Sequence, residues 1–216
     1  MNSKQIIEEY SSIYKKLEEI NIDIEKEVKK FIVITKLENI DKITARVKSV
    51  KSYVDKSLKE ERGERKYQNP IKEVQDILGI RIVGYYRKDV EKISGKVQEY
   101  FSEIEEKTVV SDSLRDFGYE GKHFILFIPP DIINKYNSDP LIPTFFELQV
   151  LTLFQHAWAI GEHGIGYKPG MGVSDLTNRK LAFLSAQAWG ADQILDELYQ
   201  KKLKGESIWT YPILIN

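Results

Sequence analysis

The chain has 216 residues, with 32 basic and 33 acidic side chains and a formal net charge of -1 at neutral pH. This balance excludes a global attraction for polyanions, so phosphate binding must depend on local clusters of charge. The absence of cysteine excludes disulfides, thiolate metal sites and thiol nucleophiles. The opening residues MNSKQIIEEY carry charge too early for a secretory signal, and the longest apolar run, FILFIPP, is too short to span a membrane. We therefore expect a cytoplasmic protein with one main core.

The first sixty residues predict two helices, a strand and a third helix. Apolar residues between Ile6 and Ile20 recur at helical spacing, and a second helix is expected from about Asp23 to Leu37, although its FIVIT segment also fits a strand. Ile43 to Lys48 has the pattern of a strand. Ser49 is placed to cap a helix that ends near Lys59.

After the break at ERGERKYQNP, three strands are predicted in ILGIRIVGYY, EGKHFILFIPP and FFELQVLT. Helices are expected from Val90 to Phe101, from Leu153 onward, and from about Leu176 to Lys202. Strands and helices interleave irregularly, which favours an α+β fold: a mixed sheet of about five strands flanked by helices, with extra helices at both ends. We expect N-terminal helices over residues 1–40, the main domain over 41–203 and a tail over 204–216.

Two of the three histidines lie in HAWAIGEH, where a zinc site is the first hypothesis to test. His156 and His163 are seven residues apart, so on a helix they share a face but lie about 10.5 Å apart along its axis. One zinc ion cannot bridge that distance, and the sequence is not HExxH. The pattern argues against a metal hydrolase.

The strand FFELQVLT combines an apolar row with two polar side chains. Alternate residues of a strand share a face, so Glu147, Gln149 and Leu151 point to one side. The other side is apolar and is expected to face the core: Phe146, Leu148 and Val150. The carboxylate and the amide therefore line either a cleft or a solvated face of the sheet.

Two further segments are candidates for ligand binding. In GYEGKHF, glycines flank Tyr119 just before a strand, so its ring either stands out of a flexible loop or belongs to an ordinary turn. The segment from Lys42 to Lys66 holds six Lys and three Arg against one Asp and three Glu. Such a basic cluster suits a polyphosphate, and the alternative is a solvated charged face.

Taken in order, these segments resemble the RelA/SpoT synthetase domain. RVKSVKSYVDK resembles the family's R-x-K-S-x-x-S-x-x-x-K, DILGIRIVGYY its D-I-x-G-x-R-I, GYEGKH its N-G-Y-x-S-x-H loop and ELQVLT its E-I-Q-I-R-T. HAWAIGEHGIGYK resembles the helix that closes the domain. The resemblance covers roughly residues 40–200 and implies the nucleotidyltransferase-like fold of that family.

The resemblance implies a pyrophosphokinase that transfers the β,γ-diphosphate of ATP to a ribose 3′-hydroxyl. On the donor side, it implies that Arg46 and Arg81 hold the adenine between their guanidinium planes. Lys48 and Lys56 are expected to contact the phosphates, and Ser52 to make a lesser contact.

The same resemblance implies Mg²⁺ as the cofactor, bound by two catalytic carboxylates. Asp76 corresponds to the family's magnesium-binding aspartate. Glu147 corresponds to its second acidic residue, which helps to bind magnesium or takes the proton of the acceptor hydroxyl.

On the acceptor side, the resemblance implies a base stacked on Tyr119 and a phosphate or ribose near His123. Further acceptor contacts are expected at Lys122, Gln149 and His156, whereas Trp158 is expected in the core. The family pattern is broken at three positions on this side: Phe117 in place of Asn, Gly121 in place of Ser and Leu151 in place of Arg.

Three functions remain open from the sequence. The first is synthesis of the alarmones ppGpp and pppGpp on GDP or GTP, in the stringent response. The second uses the same chemistry on the 3′-terminal adenosine of tRNA, as in toxic relatives that are paired with an antitoxin. The third is a non-catalytic nucleotide-sensing module. A homo-oligomer is also possible, and no membrane partner is expected.

Overall fold

The computed structural model describes residues 2–110, 119–136, 139–166 and 174–206. Its strands are β1 (Ile40–Val47), β2 (Glu60–Glu61), β3 (Glu64–Arg65), β4 (Leu78–Gly84), β5 (Glu103–Val110), β6 (Tyr119–Phe127) and β7 (Phe145–Thr152). Five of them form one sheet in the order β1-β4-β7-β6-β5. The β4–β7 pair is parallel and the other three pairs are antiparallel. This mixed sheet confirms the predicted α+β class.

Helices cover the sheet and extend from it. They are α1 (Ser3–Ile34), α2 (Val50–Ser57), α3 (Pro70–Glu73), α4 (Arg87–Tyr100), α5 (Pro130–Tyr136), α6 (Leu153–Gly166) and α7 (Asp175–Leu203). The helices expected after the first strand, at Val90, at Leu153 and at Leu176 all begin within three residues of their predicted starts. Among the described helices, none combines the length and the apolar character that crossing a membrane requires.

The N-terminal segment is one helix, so the prediction of two helices was wrong. Asn2 begins α1 with a capping box: its side chain accepts a hydrogen bond from the Gln5 backbone N–H, and the Gln5 side chain accepts one from Asn2 N–H. The buried row then continues without interruption through Ile20, Ile24 and Val28. No glycine or proline interrupts this segment, so nothing ends the helix at the point where two were expected.

The core lies between α1 and one face of the sheet. Apolar side chains from both elements are buried together there: Ile13, Leu17, Ile20, Ile24, Val28, Ile80, Ile82, Phe124, Phe146, Leu148 and Val150. The side chain of Tyr10 also links α1 to the strand end near the basic segment, because its hydroxyl donates to the carbonyl of Lys48 and its ring stacks on Tyr53 at 3.9 Å. The helix α1 is therefore part of the domain core.

Five elements were not predicted: the strands β2, β3 and β5 and the short helices α3 and α5. The strands have local explanations. The strand β5 lies at the edge of the sheet and has the charged sequence EIEEKTVV, which shows neither a buried run nor a clean alternation. The strands β2 and β3 form a tight hairpin within ERGER. Arg62 and Gly63 both have positive φ there, as a two-residue turn of the hairpin type requires.

We expect Ile20→Ala to lower the free energy of unfolding by about 2–5 kcal/mol, because it leaves a cavity where α1 meets the sheet. Ile20 is fully buried, whereas Ile22 on the same helix is 51% exposed. Urea unfolding of the two variants provides the measurement, and Ile22→Ala serves as the matched control with a change within about 0.5 kcal/mol. Equal effects at both positions would show that α1 is not packed as described.

Candidate active site

The site lies on the sheet face opposite α1 and is set by strand register. Arg46 on β1 pairs with Gly79 on β4, which pairs with Glu147 on β7. A second row of paired residues lies beside the first and crosses four strands: Thr44, Arg81, Gln149 and His123. Alternate residues of a strand share a face, so both rows point to the same side. The predicted shared face of Glu147 and Gln149 is therefore confirmed.

Gly79 opens a cleft at the centre of these rows. Because it has no side chain, the space between Arg46 and Glu147 stays open. We call this space the Gly79 cleft, and its polar walls are Thr44, Arg46, Arg81, Glu147 and Gln149. The two arginines predicted to hold one base thus lie on neighbouring strands of a single cleft.

A chain of hydrogen bonds connects Arg81 to Glu147. The Nε and Nη2 groups of Arg81 both donate to Oε1 of Gln149, at 2.9 and 2.7 Å. The amide nitrogen of Gln149 donates in turn to Oε2 of Glu147 at 2.9 Å. The Gln149 oxygen accepts from Arg81 and its nitrogen donates to Glu147. The amide therefore fixes the positions of these two charged side chains relative to each other.

A histidine extends the chain at each end. Nδ1 of His123 lies 3.1 Å from Oε1 of Glu147, and Nδ1 of His156 lies 3.1 Å from Nη1 of Arg81. A guanidinium can only donate, so Nδ1 of His156 must accept and the ring must be neutral. Burial, together with the positive charges of Lys42 and Arg81, lowers the pKa of His156 below its ordinary value of 6.5.

Three charged side chains lie together near the end of β1 and the start of β4: Lys48, Lys56 and Asp76. Lys48 Nζ lies 2.6 Å from Oδ2 of Asp76, and Lys56 Nζ lies 3.0 Å from its Oδ1. Burial opposes ionisation of Asp76, but the two ammonium groups outweigh it and hold the pKa of this carboxyl below its usual range. Burial also lowers the pKa of Lys48, and Asp76 only partly compensates for this. Two cations share one carboxylate, so the cluster retains positive charge that an anionic ligand would neutralise.

The predicted magnesium ligands lie at the same end of the sheet. Asp76 precedes Gly79 by three residues, and Gly79 pairs with Glu147. Three residues span at most about 11 Å and paired strands lie about 4.8 Å apart, so the backbones of the two acidic residues lie at most about 16 Å apart. No group of three or more His, Asp or Glu side chains forms a metal site in the described part of the chain. This donor set suits Mg²⁺, which binds through one or two carboxylates together with substrate phosphates.

A second cavity lies on the other side of the Arg81–Gln149 pair. We call it the Trp158 cavity, and its lining residues are Arg81, Gly121, His123, Gln149, Leu151, Gln155, Trp158, Ala159 and Glu162. Trp158 is partly exposed in this cavity, so the prediction that it lies in the core was wrong. Its ring belongs to a wall of α6 that faces the ends of β6 and β7.

Two of the departures from the family pattern meet in this cavity. A Cβ atom on Gly121 would collide with the Leu151 side chain and would lie 2.5 Å from the Val150 carbonyl oxygen. Leu151 is itself only 2% exposed. The close approach of the β7 backbone therefore leaves room only for a glycine at position 121, and together with Leu151 it makes this wall apolar.

Several predicted binding residues line neither cavity: Ser52, Lys122 and His156, and the cluster of Lys48, Lys56 and Asp76. Lys122 occupies the register position opposite Val150, so it lies on the other face of β6 from His123. Ser52 is exposed in the first turn of α2, where its N–H and hydroxyl both bond Ser49 Oγ. The side chains of Tyr119 and His163 and all of Phe117 lie outside the described part of the structure.

The sequence predictions missed three cavity residues on α6. Gln155, Trp158 and Glu162 recur at spacings of three and four, so they share one face of the helix. That spacing was visible in the sequence. It carried no functional signal until the fold placed this helix face over β6 and β7.

Comparison with known proteins agrees with this architecture. The family described as "Region found in RelA / SpoT proteins" matches residues 45–172, which is more than half of the chain. The chain therefore belongs to the RelA/SpoT family. A curated relative, GTP pyrophosphokinase YjbM of Bacillus subtilis, is 23% identical over 164 residues, which cover 74% of this chain and 72% of the relative.

Solved structures share the fold across nearly the whole chain. Small alarmone synthetase 1 from Bacillus subtilis superposes with a TM-score of 0.72 at 19% identity, covering 91% of this chain and 99% of that one. The same enzyme bound to pppGpp gives a TM-score of 0.68 at 20% identity, covering 86% and 93%. A GTP pyrophosphokinase family protein from Streptococcus pneumoniae gives 0.67 at 21% identity, covering 94% and 96%.

We expect Gly121→Ala to destabilise the protein by about 1–3 kcal/mol, because the added methyl overpacks the wall formed by Leu151 and the Val150 carbonyl. Gly95 on α4 has open space at the same position, so Gly95→Ala should be neutral or stabilising by up to about 1 kcal/mol. Thermal unfolding of both variants tests the difference. The close approach of β6 and β7 is disproved if the two substitutions behave alike.

We expect the pKa of His156 in the folded protein to lie below 6.5, its value in the unfolded chain. The unfolded chain then binds more protons at this residue as the pH falls through 6.5, so acid weakens the fold there. An NMR titration measures the pKa directly. Lys42→Met should raise it, because a nearby positive charge is lost, while Lys36→Met should not; a pKa at or above 6.5 in the parent protein would contradict the Arg81 contact.

Proposed function

We propose that this protein transfers the β,γ-diphosphate of ATP to the ribose 3′-hydroxyl of GDP or GTP, forming ppGpp or pppGpp and releasing AMP. The observation that carries the proposal is the chain of hydrogen bonds from Arg81 through Gln149 to Glu147, which separates two cavities on one sheet face. A two-substrate transfer needs two binding sites that meet at one reacting centre. Family membership and the name of the Bacillus subtilis relative support the same reaction.

ATP occupies the Gly79 cleft in this proposal. Arg46 and Arg81 approach the adenine from neighbouring strands, and their flat guanidinium groups suit stacking on an aromatic base. The triphosphate extends toward Lys48 and Lys56, whose positive charge Asp76 only partly balances. One of the solved relatives, small alarmone synthetase 1, was determined with the ATP analogue AMPCPP, which supports a donor site in this fold.

Asp76 and Glu147 would hold Mg²⁺ together with the phosphates. When bound, the ion neutralises charge that accumulates at the attacked phosphorus. Lys48 and Lys56, which both contact Asp76, would supply positive charge to the phosphate oxygens.

Glu147 serves as the base for the acceptor hydroxyl. Its Oε2 accepts from Gln149 and its Oε1 lies against His123, so the carboxylate is held in one orientation. The 3′-oxygen attacks the β-phosphorus and its proton passes to Glu147. The bond from that phosphorus to the oxygen shared with the α-phosphate breaks, and AMP leaves with this oxygen.

The acceptor occupies the Trp158 cavity, with His123 at its inner end. His123, Gln149 and His156 are the predicted acceptor contacts that the fold gathers near this cavity. Stacking of the acceptor base on Tyr119 remains a prediction. Lys122 can contribute only if the acceptor extends around the edge of β6.

Labelled substrate tests the reaction and the acceptor together. The protein is incubated with Mg²⁺ and γ-labelled ATP, and GDP, GTP or bulk tRNA is added in parallel. We expect label on the guanosine nucleotides. Label on tRNA alone would replace the proposed acceptor with an RNA 3′ end, and transfer to none of the three would overturn the enzymatic proposal.

We expect Glu147→Gln to reduce transfer at least 100-fold, because removal of a positioned general base typically costs a factor of 10² to 10⁴. ATP binding should persist, since the donor residues are unchanged. Glu38→Gln, at an exposed position before β1, is the control and should retain full activity. Single-turnover rates and calorimetric ATP titrations separate the two effects, and near-normal turnover in Glu147→Gln would reject the assigned role.

A further inference from the structure

The side chain of Tyr10 on α1 reaches the end of β1. It is fully buried, and its hydroxyl donates a hydrogen bond to the backbone carbonyl of Lys48 at 2.6 Å, across 38 positions of the chain. Burial raises the pKa of this hydroxyl above its ordinary value, so the group keeps its proton and can donate. Tyr10 therefore satisfies a carbonyl group at the point where the chain leaves β1.

The backbone N–H of Lys48 is held as well. It donates to the carbonyl of Ile77 at 2.8 Å, and Ile77 directly follows Asp76. The backbone of Lys48 is thus bonded both to Tyr10 and to the neighbour of Asp76. These two bonds fix the point from which the Lys48 side chain starts, and its ammonium group lies 2.6 Å from the Asp76 carboxylate.

Tyr10 also packs against the helix that carries the second lysine of the cluster. Its ring stacks on the buried ring of Tyr53 in α2, with centroids 3.9 Å apart and planes inclined by 13°. Lys56 lies three residues after Tyr53, so the two side chains are neighbours on the surface of α2. Lys48 and Lys56 come from different elements, and Tyr10 contacts both elements.

We propose that Tyr10 is a positioning residue for the donor phosphates, because it sets the spacing of Lys48 and Lys56 around Asp76. Lys56 lies 3.0 Å from the same carboxylate as Lys48, so a shift of either element would open one of the two contacts. Charged groups that buried neighbours hold in place need less rearrangement when a ligand binds.

Tyr10 is too deeply buried to touch a phosphate, so it acts through the Lys48 backbone and the packing of α2. The helix α1 therefore contributes to the site, although it covers the opposite face of the sheet. The inference rests on the proposed function, because that proposal assigns the triphosphate of ATP to Lys48 and Lys56.

Tyr10→Phe tests the proposal, because it removes the hydroxyl and keeps the ring that stacks on Tyr53. Calorimetry on the full-length chain measures binding of the ATP analogue AMPCPP with Mg²⁺. We expect its Kd to rise about three- to tenfold, as the loss of one hydrogen bond predicts. Tyr14→Phe is the matched control and should bind like the parent protein, since Tyr14 lies one turn further along α1 and meets Tyr10 edge-on at 5.8 Å.

Steady-state kinetics separate positioning from a loss of stability. In the transfer reaction, Tyr10→Phe should raise KM for ATP by the same factor, while KM for GDP and kcat change less than about twofold. A variant that is only less folded contains less active protein, so its kcat falls and both KM values stay unchanged. An unchanged Kd for AMPCPP in a Tyr10→Phe variant that circular dichroism shows to be folded overturns the proposal.

A double-variant cycle tests whether Tyr10 acts through Lys48. In the Lys48→Met background, Tyr10→Phe should weaken AMPCPP binding less than about twofold, because the ammonium group that Tyr10 positions is already absent. An equal loss in both backgrounds overturns the route through Lys48. These titrations need neither acceptor nor turnover, so they judge the role of Tyr10 separately from the labelled-substrate test of the reaction.

Discussion

The geometry of the site depends on the hydrogen bonds that the Arg81 guanidinium donates to the side-chain oxygen of Gln149. These bonds join the parallel strands β4 and β7. This contact sets the direction of the Gln149 amide, which then holds Glu147, and it requires a neutral His156 that accepts at Nδ1. Parallel strands need a crossover between them, and here residues 85–144 supply it. That crossover contains β6, which pairs with β7 on the side away from β4. The same topology that brings Arg81 to Gln149 therefore also places His123 beside Glu147.

The charged side chains of the site favour the binding of an anionic ligand more than they favour the stability of the fold. Lys48 and Asp76 are 12% and 19% exposed, and burying such groups costs free energy that their attraction does not fully recover. Arg46 and Arg81 add further positive charge, and burial together with the nearby Arg46 guanidinium lowers the pKa of Arg81. A polyphosphate would relieve this repulsion. Holding like charges close together is a general way in which a fold gives up stability for binding.

The two cavities differ in how far they keep the family pattern. The Gly79 cleft and the neighbouring cluster of Lys48, Lys56 and Asp76 retain the arginines, lysines and carboxylates of the family motifs, whereas the Trp158 cavity has an apolar wall formed by Gly121 and Leu151. Substitution at one of these positions alone would leave a clash or a gap. Trp158 also lines an apolar groove between α6 and α7, so this groove lies next to the Trp158 cavity.

Local patterns in the sequence determined the elements that have strong periodicity and clear ends. Alternation in FFELQVLT assigned Glu147 and Gln149 to one face, and Ser49 marked the start of α2, because these signals depend only on neighbouring residues. The edge strand β5 escaped prediction for the opposite reason: an edge position does not require an apolar sequence. The length of α1 was also predicted wrongly. The helix continues for as long as the sheet and its neighbours cover its apolar face, and the sequence of the helix does not show how far that cover extends.

The order of motifs along the chain was enough to identify the family and to nominate candidate site residues. Only the tertiary structure decided which of them meet. Register placed His123 beside Glu147 and turned Lys122 away, and helix packing brought Trp158 to a cavity while it left Phe183 and Ile194 uncovered. These outcomes depend on contacts between residues far apart in the chain, whose relative positions no local spacing can specify.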